Sequence, residues 1–154
     1  MKTAIITISF VLLTVYASFA QRTINLNSLQ GISYQEITIT KEMDSTFNGA
    51  SRLRELMLNP KVQQIKSIHV ADTILLDLFN NKQYKAFIDK IDVDVNGTLT
   101  IRARLADYGY AYCVISTCKG KSFLSIEVPE NKEFYLSKYN HQTGKYYLLQ
   151  IDKS

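Results

Sequence analysis

Alternation dominates the second half of this chain. From Thr73 onward, apolar and polar residues broadly exchange at every second position in TILLDLF, QYKAFIDKIDVDV, TLTIRARL, YGYAYCVIST, KSFLSIEVP, KEFYLSKY and KYYLLQID. A β-strand sends successive side chains to opposite faces, so a period of two marks a strand with one buried face. NNK, NG, CKG, PENK and HQTG separate most of these runs, and such clusters close hairpins. Seven closely spaced strands predict an antiparallel meander, folded as a sandwich or a partly open barrel. The first half is less regular. INLNSL and YQEITIT read as short strands. SRLRELML, from Ser51 to Leu58, places Leu53, Leu56 and Met57 at i, i+3, i+4, with Pro60 just beyond, and predicts a short helix. The expected fold class is therefore α+β, mainly β, with one short N-terminal helix.

The stretch DVDVNGTLT, from Asp92 to Thr100, is the most motif-like piece. Asp92, Asp94, Asn96 and Gly97 open it as an EF-hand loop would. The twelfth position of such a loop needs a bidentate Glu, because calcium takes six to eight oxygens, and here that position is Ala103. The flanks are β-patterned, not helical. A hairpin explains the residues better. A two-residue Asn96-Gly97 loop would set apolar side chains opposite polar ones along the whole ladder. A three-residue loop, Val95-Asn96-Gly97 with Gly97 left-handed, pairs Val93 with Leu99 and Ile91 with Ile101. Asp92 and Asp94 then lie on the wet face, opposite Thr100 and Thr98. Asn96-Gly97-Thr98 is also a glycosylation sequon, with meaning only in a eukaryotic secretory host.

The N-terminus adds a compartment. MKTAIITISFVLLTVYASFA has one early charge, Lys2, an apolar run from Ala4 to Val15, and small residues closing on Ala20. This is the form of a secretory signal peptide cleaved between Ala20 and Gln21. The run is too short, and too soon followed by polar sequence, for a membrane span. The expected organisation is a signal peptide over 1–20 and one β-rich domain over 21–154, secreted or periplasmic, with no membrane attachment after cleavage. The whole sequence carries 18 Lys+Arg and 14 Asp+Glu, a formal net charge of +4. The charges are mixed along the chain, which does not point to nucleic acid.

Candidate chemistry is sparse. Cys113 and Cys118 are too far apart along one strand to bridge. Cys113, between Ala111 and Ile115 on its own face, reads as a small core residue. Cys118 sits near a turn and is the more exposed, hence a candidate reactive thiol or metal ligand. His69 and His141 have no partner at metal-binding spacing, and HExxH, GxSxG and glycine-rich phosphate loops are all absent. No catalytic constellation and no cofactor site are expected. Tyr108, Tyr110 and Tyr112 fall at i, i+2, i+4 and predict an aromatic row on one strand face, with Arg102 and Arg104 on the strand before. Such a row is a cross-strand ladder, a stacking surface for single-stranded nucleic acid, or a protein interface. Export argues against the second.

LLDLFNNKQYKAFIDKI, from Leu75 to Ile91, resembles a segment of the prodomains of secreted bacterial reprolysin-like zinc metalloendopeptidases. The following order is also similar: a glycine turn, TLTIRARL, a strand like YAYCVIST, then SIEVPENKEFYLSKY and a terminal YYLLQIDKS. The resemblance covers about Leu75 to Ser154. It implies a non-catalytic module whose partner is a zinc metalloprotease catalytic domain, in cis or in trans, which it keeps latent and helps to fold. The cysteine-switch motif PRCGxPD is absent, and Cys118 in STCKGKS does not resemble it. Asp107 and Asp152 are conceivable zinc-blocking carboxylates, with no local motif selecting either. Exposed edge strands would let such a domain add a strand to its partner. The alternatives are a secreted protein-binding or structural β-domain unrelated to proteases, and a small exported enzyme built around Cys118.

Overall fold

Every alternating run of the second half forms a strand in the computed structural model, which describes residues 21–27, 35–40, 47 and 49–152. The expected signal peptide, 1–20, lies outside the described residues. The strands are β1 (Thr23–Asn25), β2 (Ala50–Leu56), β3 (Thr73–Phe79), β4 (Lys82–Val93), β5 (Leu99–Leu105), β6 (Tyr112–Cys118), β7 (Lys121–Val128), β8 (Glu133–Asn140) and β9 (Lys145–Asp152). From β3 to β9 they run as an antiparallel meander. β1 adds to β3 in parallel, and β2 adds to β9 antiparallel. The resulting nine-stranded sheet, in order β1-β3-β4-β5-β6-β7-β8-β9-β2, curls into a half-barrel. Of the two expected forms, the partly open barrel is the one adopted.

Curling gives the sheet an inside. Ile74, Leu76, Ile101, Ile115, Leu124 and Ile126 project there and are fully buried. Alternation holds this register, because a slip of one residue would turn the apolar set outward. Slips are built in at three pairings, and one of them shapes β4. The β4–β5 pairing shifts between Ile88 and Lys90, leaving Asp89 as an extra residue. The bulge moves the apolar phase of β4 from Tyr84, Ala86 and Ile88 to Ile91 and Val93. The hairpin after it has the expected register, with Ile91 opposite Ile101, Asp92 opposite Thr100 and Val93 opposite Leu99. Gly97 is left-handed at φ 78°. Asp94 N–H donates to Thr98 O at 3.1 Å, and Gly97 N–H to Asp94 O at 3.0 Å, which is a three-residue loop closed by a glycine bulge.

The expected helix over Ser51–Leu58 does not form. That segment is mostly β2, and the helical turns among the described residues are short 3-10 pieces at Pro60–Gln63, Ile65–Ser67 and Pro129–Asn131. The reason is that both faces of β2 are covered. Leu56 enters the main core, while Leu53 packs on the outer side with Phe47 and Leu149. A strand covered on both faces need not alternate, so its apolar spacing can imitate a helix. Pairing with β9, from Leu56 opposite Tyr146 to Ala50 opposite Ile151, overrides the local propensity. The outer cover comes from the YQEITIT segment, where Ile37 and Ile39 lean on the second cluster. Among the described residues 35–40 it makes one bridge, Glu36 with Arg54, rather than a full strand. The described residues of INLNSL, 24–27, contribute to β1 and to a bridge between Asn27 and Leu58.

The open side of the half-barrel lies between β2 and the other end of the sheet, where short β1 covers only the start of β3. β1 satisfies the outer edge of β3 only as far as Leu75, whose carbonyl accepts from Leu26 N–H at 2.9 Å. The next edge carbonyls are met by side chains. Asn27 Nδ2 donates to Asp77 O at 2.8 Å. Arg54, 0% exposed, donates to Asp77 O at 2.6 Å and to Leu78 O. On the facing side, Asn59 N–H donates to Leu26 O at 2.7 Å and Asn59 Nδ2 to Asn25 O at 3.0 Å. A buried guanidinium thus stands where a tenth strand would.

Replacing Arg54 with Leu should lower the unfolding free energy by about 3 kcal/mol, since Leu78 O loses its Arg54 donor and Asp77 O keeps only the amide of Asn27. Urea unfolding measures this, and a loss below about 1 kcal/mol would show that the seam is held by other contacts. Gly97→Ala should cost about 1 kcal/mol by the same measurement, because alanine resists the left-handed backbone; no change would mean the loop has another conformation available.

Candidate functional site

Strand direction sorts the candidate residues between the two ends of the half-barrel. Asp107 lies in the loop from β5 to β6, and Asp152 ends β9 opposite Glu133. Both are exposed at one end. Cys118 closes β6 opposite Lys121, at the other end. The three candidate blocking or reactive groups are therefore not brought to one place. Cys113 is buried in the core, and that burial pushes its thiol up. Both cysteines are free thiols. His69 lies beside Arg22 and Asp72, and His141 stacks edge-on against Tyr139 at 5.0 Å. In the DVDVNG loop, Asp94 Oδ1 accepts from Asn96 and Thr98 N–H, both at 2.8 Å, which holds its carboxyl below the ordinary value. Asp92 pairs with Lys90 at 2.7 Å, and Asn96 is exposed at the tip.

The expected row of three tyrosines on one strand face is not what forms. β6 starts at Tyr112, so only that tyrosine belongs to the strand. Tyr108 turns inward from the loop and meets Tyr84 edge-on at 5.6 Å, while its hydroxyl accepts from Asn131 at 3.2 Å. Tyr110 is 80% exposed, and its N–H donates to Glu130 at 3.3 Å. The bends of residues 106–111 break the alternation that the tyrosine spacing implied. Arg102 holds Asp89 with two hydrogen bonds, at 2.9 and 3.1 Å, and lies 5.7 Å from the Tyr112 ring centre. Arg104, Asp107 and Tyr108 do come together, around a shallow hollow of about 430 Å³ with Phe87 at its wall.

Close to that hollow, where Tyr108 meets Tyr84, lies a cluster that the sequence pattern does not assemble. Glu133, at the start of β8, accepts from Lys82, from the Tyr84 hydroxyl and, at 2.8 Å, from the Tyr135 hydroxyl. Lys82 and Tyr84 belong to β4, well separated from β8 through the meander, so the cluster spans the interior of the half-barrel. Phe79 packs against Tyr135 at 6.2 Å and takes the Arg52 guanidinium over its face at 4.3 Å. Arg52 in turn pairs with Glu36. Burial alone would raise the Glu133 carboxyl, but the hydrogen bonds from Lys82, Tyr84 and Tyr135 outweigh it and hold it below its ordinary value. Tyr84 is pushed up to about 12, first by burial and then by the Glu133 carboxylate. Tyr135 moves the same way for the same reasons. At neutral pH the carboxylate is ionised and both phenols are protonated donors. The arrangement fixes one negative charge across the barrel end and leaves neither tyrosine poised as a base. A readable signal existed: Tyr84 and Tyr135 both occupy the buried phase of their strands, where a phenol needs a partner.

No family model, curated protein or solved structure matches the chain. Among the described residues no group of three or more His, Cys, Asp or Glu side chains could hold a metal ion, and no helix is long and apolar enough to cross a membrane.

The cluster predicts a pH profile. A raised tyrosine pKa means that the folded state keeps its proton while the unfolded state loses it. Stability from Tyr84 is therefore complete below about pH 10 and is lost as pH rises toward about 12. The urea midpoint should fall across that window, and Tyr84→Phe should make the fall smaller. An unchanged slope in Tyr84→Phe would show that this phenol is not held by Glu133.

Proposed function

We propose that this chain is a non-catalytic binding module for a zinc metalloendopeptidase, keeping it latent and assisting its folding. One observation carries the reading. The described part of the segments that resemble reprolysin-type prodomains, from Leu75 to Asp152, falls in order on β3 to β9, the seven consecutive strands of the meander. The resemblance thus follows a complete structural unit, not scattered fragments. A β-rich wall braced by buried charge is also suited to templating a partner, because it presents a surface that does not deform on contact.

The mode of binding differs from the strand addition expected of open edges. The β1 edge is three residues long, β2 is bridged at Arg54 by Glu36, and Leu58 just beyond β2 is bridged by Asn27. The outer face of the meander is the better platform. Across β5 to β8 it carries Arg102, Tyr112, Val114, Phe123, Phe134 and Leu136, with Tyr112 and Phe123 exposed. Aromatic side chains beside arginine are the chemistry of protein interfaces. The second reading, a secreted binding or structural β-domain without a protease partner, rests on the same face and differs only in what covers it.

Adding the purified chain to a reprolysin-like endopeptidase from the same source should inhibit it at roughly micromolar concentration. Val114→Asp with Phe123→Asp should weaken inhibition about tenfold or more while leaving the fold intact, since both side chains point outward. Absence of inhibition would remove the protease from the account and leave the second reading.

A further inference from the structure

The end of the half-barrel opposite the Glu133 cluster holds an amphipathic cleft. Three parts of the chain meet there: the 3-10 turns between β2 and β3, the β4–β5 hairpin and the β6–β7 turn. They border a wide-mouthed depression of about 450 Å³, a volume within the range of small-molecule sites. Leu99, 6% exposed, lies at its base. Ile65 and Val93 line it and are 45% and 55% exposed, far more than the apolar side chains of the core. Lys66 and Lys119 complete the rim. A second hollow of about 540 Å³ shares Lys66 and adds Arg22 and Lys61.

The walls are held in place. Val62 is fully buried, and Asn59 caps the first 3-10 turn by accepting from Lys61 N–H at 3.0 Å. Gln63 donates to Ser122 Oγ at 3.0 Å, and Ser122 Oγ lies 2.9 Å from Thr117 Oγ1 on β6. The charges around the cleft are unequal. Its nearby carboxylates are already engaged: Asp94 by the N–H groups of its own loop, Asp92 by Lys90, and Asp72 by Arg22. Lys66 and Lys119 hold no carboxylate among the described residues. Two lysines without counter-charge beside exposed aliphatic carbon, in a recess with anchored walls, match a ligand that carries both features.

We propose that this cleft binds a small amphipathic carboxylate, its aliphatic body against Ile65, Val93 and Leu99 and its carboxylate between Lys66 and Lys119. Lysine suits this role as a mobile point charge that tolerates several head-group positions. The aliphatic body supplies the affinity that exposed lysines alone do not. The proposal is independent of the protease reading, because none of the outer-face residues on which that reading rests lines the cleft.

The test is an NMR titration of the intact chain with octanoate, using octanol and acetate as controls. Saturable shifts should be confined to amides of residues 63–66, 93–99 and 117–120. Acetate, without the body, should bind at least about tenfold more weakly. The double variant Lys66→Gln/Lys119→Gln should weaken octanoate about tenfold and leave octanol unchanged. Shifts that scatter over the surface, or that fail to saturate by about 10 mM, would overturn the proposal. So would a double variant that binds octanoate as well as the parent. Binding to anionic phospholipid vesicles with no response to free octanoate would also overturn it, and would assign the lysines to a membrane surface instead.

Discussion

An open sheet that curls without closing must do something with the carbonyls along its gap, and here a buried arginine does it. Arg54 sits at the inner face of β2 and donates to Asp77 O and Leu78 O on β3, across a seam where no strand runs. Burying a guanidinium is costly unless its donors are met, and unmet carbonyls at the seam would be costly too. Placing one against the other cancels both costs. Phe79 adds to this by presenting its ring to Arg52 and, at 5.8 Å, to Arg54. The Asn27–Leu58 bridge and the two donors of Asn59 close the rest of the gap. With the seam closed, the inward faces of all the longer strands share one core.

The same closure makes the two ends unlike each other. At the end where β3 turns into β4, the Glu133 cluster ties β4 to β8, with Lys82 and two phenols gathered on one carboxylate. The opposite end is tied instead by hydrogen bonds from Gln63 to Ser122, between Ser122 and Thr117, and from Ser122 N–H to the Tyr146 hydroxyl. It is shaped by hairpin loops and 3-10 turns, and its free charges are lysines. A charge-braced end and a lysine-rimmed end are thus joined by a wall that carries exposed Tyr112 and Phe123. This is why the proposed roles are binding roles, located on the outer face and in the lysine-rimmed cleft.

How much of this was legible depended on how many faces of each element are buried. The meander was readable because β4 to β8 bury one face and wet the other, so their alternation is a direct record of packing. Even the Asp94–Thr98 loop followed, since only an odd-length turn keeps Val93 opposite Leu99. β2 misled because it is covered twice, and Leu53, Leu56 and Met57 then take a helical spacing without a helix. The interior charge of Arg54 was invisible for the same reason: read as a helix, the segment gives that residue no inward phase. The tyrosine row failed because residues 106–111 bend out of the ladder, and spacing alone does not report where a strand begins. The Glu133 cluster joins residues about fifty positions apart, a contact that no local pattern encodes.

Native-state amide hydrogen exchange addresses the central claim most directly. If the seam closed by Arg54 is part of the cooperative fold, the amides of Leu26, Ile37 and Asn59 should open with the same free energy as those of β5 and β6, within about 1 kcal/mol. If the seam amides exchange through a much smaller opening while β5 and β6 stay protected, the sheet is a free-standing meander with a loosely attached N-terminal segment, and Arg54 does not hold the fold together.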